Sequence, residues 1–276
     1  MSPLIIDATV LLLTVLYALL TDNAARRYLA GKSRFDALAR PLLIGTVSLH
    51  LFALLLRGFE TRTCPVLTRW EALSFVAFAM TAIYLALEVR RKIRVTAVFV
   101  LGFAAAMQFL SAIFILGGGP AEPTGSPDLA SSFHAFAAMI GLSGVAVAGI
   151  FGLLYVRLHQ KIRRSKFGPF YQRMPSLEEL GDLNASAAAL GFLALSVTVG
   201  IGLSSMFTHG DEPRAVELPW FPIALTMALW LLLGVCSLGH RFGKLGGARL
   251  AWATVVAFAA ACGLLVSLGP QGVHGT

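Results

Sequence analysis

SFHAFAAMIGLSGVAVAGIFGLLYV, from Ser132 to Val156, contains no Asp, Glu, Lys or Arg and is followed at once by RLHQKIRRSK, from Arg157 to Lys166. A helix rises about 1.5 Å per residue, so an uncharged run of this length covers the roughly 30 Å hydrocarbon core of a bilayer. Its abrupt basic end has the character of a segment that stops at a membrane surface. Working outward, seven more apolar runs share this character: Leu4 to Leu20, Pro41 to Leu56, Ala72 to Leu87, Val95 to Leu116, Ala185 to Phe207, Leu218 to Leu238 and Leu250 to Leu268. None alternates like a barrel strand, and a bilayer leaves backbone groups no partner outside their own segment, so the runs predict helices. The expected fold is therefore all-α, a polytopic bundle of eight transmembrane helices forming one integral membrane domain over residues 1–276.

The whole-chain composition agrees. Of 276 residues, 57% are hydrophobic and only 13% charged, with mean hydropathy +0.77, whereas soluble domains carry about 25% charged residues. The net charge of +8 therefore does not indicate a nucleic-acid-binding protein, because the basic residues sit in short blocks between spans. One set of loops holds Arg26, Arg27, Lys32, Arg34 and Arg40; Arg90, Arg91, Lys92 and Arg94; Arg157, Lys161, Arg163, Arg164, Lys166 and Arg173; and Arg241, Lys244 and Arg249. The other set holds only Arg57, Arg62, Arg69 and Arg214. The positive-inside rule then puts the first set in the cytoplasm and both termini outside, with membrane lipid as the first partner of the chain. The first run lacks a basic leader and carries Asp7 near its start, which predicts a retained helix and not a cleaved signal. Cys64, Cys236 and Cys262 form no CxxC pair and no disulfide framework.

Between the fifth and sixth runs, MPSLEELGDLN holds Ser176 with Glu179 three residues on, the spacing of a capping box, and Leu177, Leu180 and Leu183 on one face. It predicts a short amphipathic helix on the inner surface, or else a solvated linker. The Gly- and Pro-rich loop from Gly117 to Ala130 predicts an external connector. Glycines 141, 144, 149, 152, 200 and 202 predict close helix packing.

Candidate chemistry rests on polar groups that a membrane makes costly. Six histidines are present. His159 and His209 fall in loops, where water can solvate them. His50 lies deep within the second span and needs partners for two ring nitrogens. His134 opens the fifth span on the outer side, His240 closes the seventh on the inner side, and His274 is in the outer tail. Glu71 and Glu88 bracket the third span about 25 Å apart by helical rise, too far to work as an acid–base pair. A small-solute or ion transporter therefore lacks paired midplane charges and an evident inverted repeat.

The stretch HLFALLLRGFETRTCPVLTRWEALSFVAFAMTAIYLALE, from His50 to Glu88, resembles the His, Arg, Pro, Glu, LSF, Tyr, Glu pattern of the cytochrome c assembly proteins, through His50, Arg57, Pro65, Glu71, Leu73 to Phe75, Tyr84 and Glu88. SSFHAFAAMIGLSGVAVAGIFGLLYVRLHQKIR with MPSLEELG, LGHRFGKLGGARLAWATVVAF and the terminal GPQGVHG are similar to later pieces of that family in the same order. The family's tryptophan-rich external segment is reduced here to Trp220 and Pro222, with Phe221 where an acid belongs and Trp230 further on. The resemblance is thus nearest the HemX/YpjD-like branch and further from the ligating CcsA/ResC-like synthetases. It implies an inner-membrane protein of bacteria that binds or handles heme b in c-type cytochrome biogenesis, without catalysis of its own, beside apocytochrome c and other maturation proteins. The implied alternative is a heme-free regulatory or accessory subunit. The implied heme contacts are His50, His134, His240, His274 and Trp220, with His134 and His274 as iron ligands. Two axial imidazoles need their nitrogens about 4 Å apart. The outer pair His134 and His274 share a depth, whereas His50 lies roughly 10 to 14 Å along its helix from the end where His240 sits. His50 is thereby left either as an inner ligand or as a hydrogen-bonding residue of the bundle.

Overall fold

The computed structural model describes residues 3–31, 37–61, 68–118, 129–208 and 220–267. The described chain is all α-helical: α1 (Pro3–Ala30), α2 (Ala39–Thr61), α3 (Arg69–Arg91), α4 (Ala97–Gly118), α5 (Leu129–Arg163), α6 (Pro169–Arg173), α7 (Leu177–Thr208), α8 (Trp220–Arg241) and α9 (Ala248–Ser267). Seven of these, all but α6 and α9, are long and apolar enough to cross a membrane. The expected eighth span is α9. Its apolar stretch Ala248–Gly263 is shorter than the other seven, and Leu268, where that span was expected to end, lies outside the described residues. The protein is a multi-pass membrane bundle.

Helix ends follow local chemistry. Thr68 caps α3: its hydroxyl accepts from Glu71 N and the Glu71 carboxylate accepts from Thr68 N, both at 3.2 Å, so α3 starts a turn before the apolar run at Ala72. Lys92 closes it in the left-handed conformation, with its N–H on Glu88 O at 2.8 Å. The predicted capping box at Ser176 is present, with Glu179 N on Ser176 Oγ at 3.1 Å and Ser176 N on Glu179 Oε2 at 2.9 Å.

The helix it starts is not the expected short surface helix, however. It continues without a break to Thr208. Leu180 and Leu183 are buried, as is Asn184, whose Nδ2 donates to Thr254 Oγ1 at 3.0 Å. The leucine stripe packs against other helices, so MPSLEELGDLN is the first part of a span. The only short helix in this link is α6.

The chain divides into two compact units. Met1–Ser143 with Gln172–Pro175 form the first, and Gly144–Tyr171 with Ser176–Thr276 the second. In the first, α4 packs on α1 and α3, and α2 on the same two helices. Phe75 and Ala79 make a small core with Leu54, Phe78, Ala135, Phe136 and Met139. In the second, α7, α8 and α9 pack pairwise, and the glycines of α5 allow close approach. A Cβ at Gly144 would stand 2.7 Å from Gly191 N, and one at Gly152 would stand 2.6 Å from Thr254 Oγ1. Outward faces carry exposed Leu11, Val15, Phe52, Leu55, Leu193, Val197, Leu231 and Val235, a surface suited to lipid and not to water.

Candidate functional site

Within the first unit, four side chains from four helices form one buried hydrogen-bonded chain. Tyr17 (α1), His50 (α2) and Gln108 (α4) are each 1% exposed, and Ser74 (α3) joins them. Tyr17 Oη lies 3.1 Å from His50 Nδ1, His50 Nε2 lies 3.1 Å from Ser74 Oγ, and Ser74 donates to Gln108 Oε1 at 2.8 Å. Because the Ser74 proton goes to Gln108, Ser74 Oγ accepts from His50 Nε2–H. In the neutral imidazole Nδ1 then accepts the Tyr17 hydroxyl and the proton sits on Nε2. Tyr17 and Phe78 meet the ring edge-on, with centroids 5.8 and 5.5 Å away. Both nitrogens of His50 are thus used inside the bundle, and Gln108 Nε2 is buried without a hydrogen-bond partner among the described residues.

α3 carries an acid near each of its own ends, Glu71 and Glu88, and each acid is held by arginine. Arg57 pairs with Glu71 at one end. At the other, Glu88 meets Arg94 Nε at 3.1 Å and Arg40 Nε at 3.7 Å. Neither carboxylate is left as a bare acid along a transport path.

The remaining expected site residues lie elsewhere. His134 is half-buried near the start of α5, immediately before Ala135 and Phe136 of the Phe75 core. His240 is in the last turn of α8, a third exposed, with Nε2 3.5 Å from Asp182 Oδ1 of α7. Trp220 is the first residue of α8 and 68% exposed. It stands at the opposite end of α8 from His240, about 30 Å away by helical rise. Trp230 donates from Nε1 to Ser196 Oγ at 2.9 Å and stacks on Phe192. His274 and Cys64 lie outside the described residues. Among the described residues, no three His, Cys, Asp or Glu side chains gather closely enough to hold a bare metal ion.

Sequence reasoning missed Tyr17, Asp182 and the partnership of Ser74 with His50. The one available signal was on α3, where Glu71, Ser74, Thr81 and Glu88 repeat at helical spacing and mark a polar stripe.

Fold and site together define a multi-pass α-helical membrane protein with a buried polar chain in one unit and an imidazole–carboxylate pair in the other. Comparison with models of known families, with curated proteins and with solved structures finds no match for this chain.

Proposed function

We propose that this chain binds or conveys heme b in the inner membrane of a bacterium during c-type cytochrome biogenesis, as an accessory protein and not a catalyst. In this reading α9 completes an eighth span, the basic loops face the cytoplasm and both termini lie outside. The observation that carries the proposal is His240. Its imidazole is a third exposed at a helix end with the Asp182 carboxylate 3.5 Å from Nε2, near the arrangement in which a carboxylate fixes ring orientation and raises basicity in many histidine ligands. His134 offers a second half-exposed imidazole at a helix start, to be joined by His274, and Trp220 offers an exposed ring beside which a flat macrocycle can stack. Heme, when bound, supplies the iron and the vinyl groups by which it is later attached to an apocytochrome. The residues of this chain bind and orient it and keep it from the aqueous phase.

His50 does not fit a ligand role without losing its bond to Tyr17 or Ser74. That favours a second reading, a heme-free accessory subunit in which His50 only braces the bundle. The absorption spectrum of the purified protein, reduced minus oxidised and after heme is supplied, separates the two. The first reading expects a Soret band that weakens in His134→Ala and His240→Ala. No Soret band in the wild-type protein leaves the second.

A further inference from the structure

At the basic end of α5, Arg157, Gln160, Lys161 and Arg164 recur at spacings of three and four residues, and Arg164 N still bonds to Gln160 O at 3.1 Å, so the four share one helical face. The chain then turns at Ser165, whose φ is 50°, and Lys166 N donates to Lys161 O at 2.9 Å. Phe167 meets Tyr171 edge-on, with ring centroids 4.9 Å apart, across the start of α6. This turn brings Lys166 and Phe170 to the same place as the α5 face, and the six residues line a pocket of about 410 Å³. That volume is in the range of sites for small organic ligands. All six residues belong to the second unit.

Four cations line this pocket and no acid does. None of Arg157, Lys161, Arg164 and Lys166 makes a side-chain ion pair or hydrogen bond among the described residues, whereas Arg26, Arg57 and Arg94 each meet an acid. Like charges at these spacings disfavour the helix that carries them, and an anion in the pocket offsets the repulsion. We propose that this pocket binds an anion carrying two phosphate groups, with the guanidiniums and ammoniums donating to the phosphate oxygens and Phe170 meeting the carbons between them. Two groups suit the pocket better than one, because Arg157 and Arg164 stand about 10 Å apart along the helix axis. Arg157 directly follows the uncharged run that ends at Val156, so its end of the pocket stands at the level of lipid phosphates. That depth favours the paired phosphodiesters of cardiolipin as the source over a soluble diphosphate. The site uses none of the imidazoles of the heme reading.

The test is thermal unfolding of the delipidated full-length protein in a neutral detergent, titrated with cardiolipin, phosphatidylglycerol, phosphatidylcholine or pyrophosphate. Ligand that binds only the folded state raises Tm with concentration. Cardiolipin is expected to raise Tm at a lower midpoint than phosphatidylglycerol at equal phosphate, and phosphatidylcholine to leave Tm unchanged. Lys161→Gln and Arg164→Gln should each move the cardiolipin midpoint about fivefold to higher concentration. Arg163→Gln removes the same charge from the same turn but outside the pocket, and at 0.15 M salt it should leave the midpoint within about twofold. These side chains are exposed, so the variants are expected to fold as the wild type does. A pyrophosphate response with the same sensitivity to Lys161→Gln and Arg164→Gln supports the site and makes a soluble diphosphate its source. Equal shifts from Arg163→Gln and Arg164→Gln mean that lipid is drawn to a diffuse basic surface, and they overturn the proposal. So do equal midpoints for cardiolipin and phosphatidylglycerol at equal phosphate, or no response to either cardiolipin or pyrophosphate.

Discussion

Replacing His50 by leucine tests whether the Tyr17–His50–Ser74–Gln108 chain braces the first unit. Leucine nearly fills the volume of the imidazole, so the cavity contribution is small, and what is lost is two buried side-chain hydrogen bonds of 3.1 Å. Interhelical hydrogen bonds in membrane proteins average about 0.6 kcal/mol and reach about 1.7. Two of them predict a loss of roughly 1–3 kcal/mol, Tyr17 Oη keeping its side-chain hydrogen bond with Thr81. His50→Ala adds an empty space and should cost roughly 3–5 kcal/mol in all. The pairwise part is isolated by a cycle of His50→Leu, Tyr17→Phe and the double variant, measured by reversible unfolding in mixed micelles. The expected coupling is about 0.6–1.7 kcal/mol. Additivity within about 0.3 kcal/mol, together with a neutral His50→Leu, refutes the bracing role. Loss of a Soret band in His50→Leu with its stability intact refutes it by another route, because His50 would then be serving the iron.

Gly152→Ala places a methyl 2.6 Å from Thr254 Oγ1 and 2.7 Å from Ala251 O, and the overpacking should cost about 1–3 kcal/mol. Gly200→Ala, with nothing within 4 Å, should instead gain up to about 1 kcal/mol of helix propensity; equal unfolding midpoints for the two variants would contradict the packing. Ser176→Ala removes the cap of α7 and should cost about 1 kcal/mol, seen as faster amide exchange in its first turn, with Ser176→Asp restoring protection. Glu71→Gln keeps a side chain able to serve the Thr68 cap but leaves Arg57 without its acid. It should lose about 1–3 kcal/mol, and adding Arg57→Met should recover most of the loss in the same unfolding assay.

What the sequence made legible was whatever is local along the chain. An uncharged run long enough to cross a bilayer is a property of consecutive residues, as is Ser176 three residues before Glu179, and both predictions have their counterpart in the structure. MPSLEELGDLN went astray for the opposite reason. Its Asp182 and Asn184 gave it the polarity of a linker, yet Asn184 is bonded to Thr254 and Asp182 faces His240, partners on other helices and far along the chain. A polar residue in a membrane bundle is tolerated when another helix answers it, so its polarity describes the neighbour as much as its own segment. The histidines show this most sharply. His50 and His240 both belong to apolar helices, and the sequence separates them only by depth. The hydroxyls of Tyr17 and Ser74 occupy both nitrogens of His50 and make it part of the frame. A carboxylate approaches His240 from one side at a partly exposed helix end, the arrangement on which the proposed heme-binding role relies. Whether a membrane histidine serves as brace or ligand is thus decided by what the adjoining helices present to it, which no spacing within its own helix encodes.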